Sequence, residues 1–218
     1  MKLSDKHRQR IIKRHQYSIQ ERGYEATALF WRDQSVQEKR FDILIDFIRL
    51  NSQSVEADHV ISILDVGCGF GDLCDYLKKA GLQVNYTGID VSPDMVRAGQ
   101  FKHGDIHLLQ GELFDFEWPQ ASFDWVVCSG AMNEVVDSPG QEGEYAQAMI
   151  QKMYALCRQG VVFNLLDASH EWSHSRPDLQ SFDSSEIASF CKGFANNVLV
   201  RQDYLPNDFT VCLTRMEK

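Results

Sequence analysis

The run Ile63-Leu64-Asp65-Val66-Gly67-Cys68-Gly69-Phe70-Gly71-Asp72-Leu73 constrains the fold more than any other part of the chain. An apolar segment ends in an acid, and glycines then occupy every second position. This is the pattern of a strand, a tight turn and the start of a helix. Glycine serves where the backbone turns sharply or lies against a ligand, because it has no Cβ to clash. A helix starting there offers unpaired N–H groups and the positive end of its dipole. Residues 65–71 therefore read as a loop for a nucleotide-type cofactor, with Asp65, Gly67, Cys68, Gly69 and Gly71 as its candidate contacts.

Spacing narrows the cofactor. A dinucleotide loop runs Gly-x-Gly-x-x-Gly, with the pyrophosphate on the helix N-terminus. Here the last two glycines are one residue closer, and an acid closes the strand. A carboxylate at Asp65 repels a pyrophosphate and suits a cation or an amine. A P-loop needs Gly-Lys-Ser/Thr, and no lysine follows until Lys78.

The rest of the chain builds a scaffold around this loop. Apolar positions 36, 41, 44, 45, 47 and 48 predict a helix over 35–50, and polar 51–59 a connector. Strands are expected at 60–66, 84–89, 106–110, 123–129, 161–166, 198–204 and 209–214. Helices are expected at 71–80, 92–102, 143–157 (closing near Gly160) and 184–192, with Ser92-Pro93 as a cap and first-position proline. Alternation of this kind predicts an α/β fold: a doubly wound, Rossmann-like, mostly parallel seven-stranded sheet with a C-terminal antiparallel hairpin. An N-terminal helical extension or lid over 1–59 precedes a domain over 60–218. Ligands of such sheets sit beyond the carboxyl ends of the strands, which places Asp65–Gly71, Asp90, Gly111-Glu112, Ser129–Glu134 and Asp167–His170 on one rim. Asp90, closing the second strand, has the chemistry to accept hydrogen bonds from ribose hydroxyls.

Charge limits the partners. The chain of 218 residues carries 22 Lys/Arg against 31 Asp/Glu, a net −9. Residues 1–16 hold six Lys/Arg against one Asp, which leaves the remainder 16 cations against 30 acids. So acidic a body repels nucleic acid, and the basic start reads as a solvated, partly frayed helix rather than an RNA-touching arm. No apolar run approaches the roughly 20 residues that cross a bilayer, and no secretory leader is evident. Six scattered cysteines without a Cys-x-x-Cys pair suit reduced thiols in a cytoplasmic protein, with no metal site expected.

The glycine loop with Asp90 at this spacing resembles motif I and its following acid in the class I S-adenosylmethionine-dependent methyltransferases, in particular the small-molecule members of type 11/12. Gly111-Glu112-Leu113 resembles that family's adenine-binding segment, with glutamate in place of the commoner aspartate. Phe123-Asp124-Trp125-Val126-Val127-Cys128-Ser129-Gly130 resembles its motif IV. The resemblance covers roughly residues 60–166. It implies S-adenosylmethionine as cofactor and S-adenosylhomocysteine as product. It also implies Val91 and Met95 against the adenine, Glu112 near its exocyclic amine, Cys128, Ser129 and Gly130 at the methyl end, and Arg40 on the cofactor carboxylate. Tyr17, Tyr24 and Trp31 are expected as an aromatic lid.

The acceptor is less constrained. The Asp/Asn-Pro-Pro-Tyr run of amino-group methylases is replaced by Ser129-Gly130-Ala131-Met132, and no Pro-Cys dipeptide offers the nucleophile of cytosine-C5 enzymes. A small molecule is the expected substrate, with a protein side chain or a non-catalytic cofactor-binding module as alternatives. Candidate catalytic groups are Asn133, Glu134, Asp167 and His170, with His174 nearby; His170 has the chemistry of a base near neutral pH.

Overall fold

A computed structural model describes residues 2–52, 60–136 and 140–215; most of the expected 51–59 connector lies outside the described residues. The chain opens with α1 (Asp5–Arg22), capped by the Ser4 side chain on His7 N–H. A 3₁₀ turn (Ala26–Leu29) leads to α2 (Gln34–Asn51), capped by Asp33 on Val36 N–H. Then follow β1 (Ile61–Val66), α3 (Asp72–Lys79), β2 (Val84–Asp90) and α4 (Pro93–His103). Ser92 caps α4 and Pro93 opens it, as the sequence predicts. The second half comprises β3 (Leu108–Gln110), β4 (Phe123–Ser129), α5 (Glu144–Leu156), β5 (Cys157–Leu166), α6 (Glu171–His174), α7 (Ser184–Lys192), β6 (Asn197–Arg201) and β7 (Asp208–Thr214).

The seven strands form one sheet in the order β3-β2-β1-β4-β5-β7-β6. Pairing is parallel from β3 to β5, and β7 runs antiparallel to both β5 and β6. The central strands β1, β4, β5 and β7 are buried on both faces, which is why they read as continuous apolar runs. Strand parity divides the core in two. Ile63, Trp125, Val127, Val162 and Cys212 face α2 and α3, among them Leu44, Ile48, Leu73 and Leu77. Val126, Cys128, Val161, Phe163 and Val211 face Met149, Ile150 and Met153 of α5 and Ile187 of α7. Each such side chain removed from water contributes roughly 1.5–3 kcal/mol.

Three boundaries differ from expectation. Gly160 does not close α5; it lies inside β5, where a Cβ would stand 2.4 Å from the Trp125 ring. β3 begins two residues late because Ile106 N–H is still turned back onto the Gly104 carbonyl. β6 ends at Arg201, and Gln202–Asn207 carries the connection to β7. All six cysteines are buried and unpaired. Among the described residues no helix is long and apolar enough to cross a membrane.

Candidate cofactor and acceptor site

Three carboxylates stand along the strand ends, and each is held differently. Asp65 near the end of β1 is buried and accepts the Tyr86 hydroxyl at 2.6 Å. Burial pushes its carboxyl up to about 7; the Tyr86 bond opposes that rise and neighbouring Asp90 adds to it. Asp90 receives Gly69 N–H at 3.0 Å on one oxygen and Ser92 N–H at 2.8 Å on the other. Burial raises its pKa too, opposed by His15 of α1 and by the two amide bonds. Glu112 behaves differently from expectation: its Oε1 accepts Leu3 N–H at 2.7 Å and its Oε2 the Tyr145 hydroxyl at 2.6 Å, with Arg8 at 3.4 Å.

The N-terminal helix, expected to be solvated and partly frayed, is instead docked through its basic side chains while its outer face stays open to water. Arg8 binds Asp115 at 2.7 Å and Lys2 joins it at 3.2 Å. Arg14 and Arg10 both bind Glu134, at 2.7 and 3.2 Å. Its basic residues pair with acids of the strand-end rim, and α1 is strapped across that rim. The segment after α1 then presses on the loops. A Cβ on Gly69 (φ +55°) would lie 2.6 Å from Leu29, and one on Gly130 (φ +84°) 2.4 Å from the Trp31 ring. Both glycines are needed for conformation and for close approach.

Between this cover and the strand ends lies a cavity of about 1020 Å³. That is at the top of the roughly 300–1,000 Å³ range of small-molecule sites. Its wall brings together Asp65, Gly67, Cys68, Gly69, Asp90, Val91, Gly111, Glu112, Leu113, Ser129, Gly130 and Arg40 from the expected cofactor set, and Asn133, Glu134 and His170 from the expected catalytic set. Three expected cofactor residues lie outside that wall. Gly71 caps α3 instead. Met95 is fully buried beside Phe70, Ala28 and Ala98. Cys128 points to the α5 face because it alternates with Ser129 along β4. Asp167 and His174 are outside the wall as well.

Several lining groups already have partners. Asn133 Oδ1 accepts Leu166 N–H at 3.1 Å while its Nδ2 donates to the Gly130 carbonyl at 3.3 Å, so its amide pins the chain after β4. His170 Nδ1 accepts Trp172 N–H at 3.2 Å, which leaves the ring proton on Nε2. Arg40 is salt-bridged to Asp208, and the pair is deeply buried. Burial lowers the pKa of Arg40 and raises that of Asp208 to about 6, each opposed by attraction to the other. Ser129 Oγ and His15 Nδ1 are buried without a partner among the described residues. Of the expected aromatic lid, Trp31 lines the cavity, Tyr17 is exposed, and Tyr24 packs edge-on against Phe70. Sequence reasoning missed His15, Phe30, Trp172 and Arg176 as wall residues; none stands in a motif, and only the folded path of α1 and of the segment after β5 brings them there.

Residues 63–160 match the family described as Methyltransferase domain. A candidate methyltransferase of Mycobacterium tuberculosis, Rv1506c, is 32% identical over 166 residues, covering 74% of this chain and 97% of that protein. The demethylmenaquinone methyltransferase of Listeria welshimeri is 28% identical over 114 residues, half of this chain and 45% of its own length. Among solved structures, magnesium protoporphyrin IX methyltransferase from Synechocystis PCC 6803 with bound SAH superposes with a TM-score of 0.60 at 16% identity, covering 83% of each chain. The glycine loop, the two buried aspartates and these relatives converge: the chain belongs to the class I S-adenosylmethionine-dependent methyltransferases.

Proposed function

We propose that this methyltransferase acts on a small molecule, held in the outer part of the covered cavity beside the cofactor. The observation that carries the reading is the cavity itself: about 1020 Å³, roofed by α1 and the segment after it, and ending on the glycine loop. That volume holds two ligands of moderate size side by side but not a folded protein surface.

The residues present fit the cofactor. Buried Asp65, Asp90 and the unpartnered Ser129 Oγ supply acceptors for an amine and hydroxyls, while Arg40, the cation expected for the carboxylate, reaches the wall already paired with Asp208. When bound, S-adenosylmethionine supplies an electrophilic methyl on a sulfonium; the bond pair returns to sulfur as the acceptor's lone pair makes the new bond. The protein's part is to orient and to exclude water, and orientation can supply roughly 7–11 kcal/mol. Trp31 closes down on Gly130, and α1 completes the roof. Asn133 fixes the loop rather than handling a proton. His170, capping α6 through Nδ1, presents Nε2–H and so orients an acceptor oxygen by donating to it. Glu134 is held by two arginines and so anchors α1 over the site. Adenine specificity rests on the backbone of Gly111–Leu113, since the Glu112 carboxylate is occupied by Leu3 N–H and the Tyr145 hydroxyl. The six buried, unpaired thiols suit a reducing cytoplasm.

Calorimetry and thermal unfolding test the cofactor half. S-adenosylhomocysteine at 100 times its Kd is expected to add about 2.7 kcal/mol, several degrees of Tm for a chain of this size. Absence of a shift, together with a shift on NAD, overturns the assignment. Formation of S-adenosylhomocysteine with a library of small metabolites, and none with whole-cell protein, is the expected acceptor result; the reverse outcome overturns the small-molecule reading.

A further inference from the structure

The cavity wall has a chemical asymmetry that follows from the fold. Its carboxylates Asp65, Asp90 and Glu112 cluster at the cofactor loops. Outward from them the wall carries Arg14, Arg22, Arg32 and Arg176, and Glu134 is the lining carboxylate among them. No lysine lines the cavity among the described residues, although the chain as a whole is acidic at −9.

Asp33 matches Arg32, and two cations are in surplus once Arg10, which binds Glu134 from outside the wall, is counted with these four. Glu134 is shared by Arg10 and Arg14, which leaves one positive charge over. Arg22 donates to the Thr27 carbonyl at 2.7 Å and meets no carboxylate among the described residues. Asp178 matches Arg176. The arginines also lie on aromatic rings that share the wall. Arg14 is 4.1 Å and Arg22 5.9 Å from the Phe30 ring centre, and Arg176 is 5.2 Å from that of Trp172. Phe30 holds a left-handed backbone, φ +64°, as the residue closing the 3₁₀ turn. Glycine is the usual residue there, and a bulky side chain at positive φ costs stability. The strained residue sets an aromatic ring beside two guanidiniums on the cavity wall. Guanidinium pairs carboxylates in plane and stacks on aromatic faces, which an ammonium does less well.

We propose that the acceptor is a flat, conjugated ring compound bearing a carboxylate, its ring packed beside Phe30 and Trp172 with their stacked guanidiniums and its anion answered by Arg14 and Arg22. This deepens the small-molecule reading above and rests on it. A neutral acceptor leaves the surplus charge unanswered, and a saturated one makes no use of the aromatic faces.

The test measures binding to the full chain in the presence of saturating S-adenosylhomocysteine, with 2-naphthoate, 2-naphthamide and decalin-2-carboxylate as probes. The expected result is 2-naphthoate at least tenfold tighter than either of the others. Arg22→Met is expected to shrink the preference for naphthoate over naphthamide to threefold or less. Trp172→Leu is expected to weaken both aromatic probes fivefold or more alike. Both variants should bind S-adenosylhomocysteine within twofold of the parent, which also certifies their fold. Naphthoate and naphthamide binding within twofold of one another, decalin-2-carboxylate binding as well as naphthoate, or naphthoate failing to bind while S-adenosylhomocysteine binds, overturns the proposal alone. Failure of S-adenosylhomocysteine to bind the parent chain overturns the functional reading beneath it.

Discussion

Asp65 is a buried carboxyl group on the inner wall of the cavity, with one hydroxyl as its side-chain partner. Its pKa near 7 lies above the unfolded value, so between about pH 4 and pH 7 the folded chain holds a proton that the unfolded chain has lost. Stability from this group is complete below pH 4 and is lost as pH rises to about 7. Asp65→Asn removes the titration. Its melting temperature should exceed that of the parent by a margin that grows from pH 4 to pH 7 and then stays level, followed by scanning calorimetry across pH. A margin independent of pH contradicts the buried, proton-holding carboxyl. The same variant should lose cofactor affinity, since the parent carboxyl gives up stability to make a site able to answer a cation. At this scale the sequence was informative: the acid, the glycines and Asp90 are local in the chain, and their geometry follows from turn chemistry. Met95 and Cys128 were not legible as core residues, because apolar side chains near a loop suit cofactor or interior equally. Only the alternation along β4, with Ser129 on one face and Cys128 on the other, separates the two roles.

Strands β1, β2 and β4 and helices α2 to α4 fall close to where periodicity and capping place them, since each carries its own pattern. Helix α1 does not. Its partners Glu112, Asp115 and Glu134 lie 104 to 124 positions away, and no local signal connects a basic helix to acids at that distance. Its docking energy should concentrate at Glu112, which is buried beneath it. Glu112→Ala leaves Leu3 N–H and the Tyr145 hydroxyl without that acceptor. The expected cost is about 1–3 kcal/mol, or several degrees of Tm for a chain of this size. Arg8→Ala, at a part-exposed pair, should cost about 1 kcal/mol or less. Equal losses in the two variants, read by thermal unfolding, contradict a docking centred on Glu112.

Across the molecule the charges are sorted. The strand-end rim is acidic, the segment that roofs it is basic, and the bridges between them are in part open to water. Exposed bridges of this kind weaken as salt rises. The dissociation rate of S-adenosylhomocysteine, measured by stopped-flow displacement, should therefore increase between 50 mM and 500 mM salt, and the increase should shrink when Arg10 and Arg14 are both replaced by Met. A rate indifferent to salt contradicts an electrostatic latch. The strap also gives the enzyme a timetable. A spent cofactor beneath it is expected to leave only when several weak ties to one helix let go together, so turnover should be paced by how often that helix breathes as much as by how fast a methyl group moves.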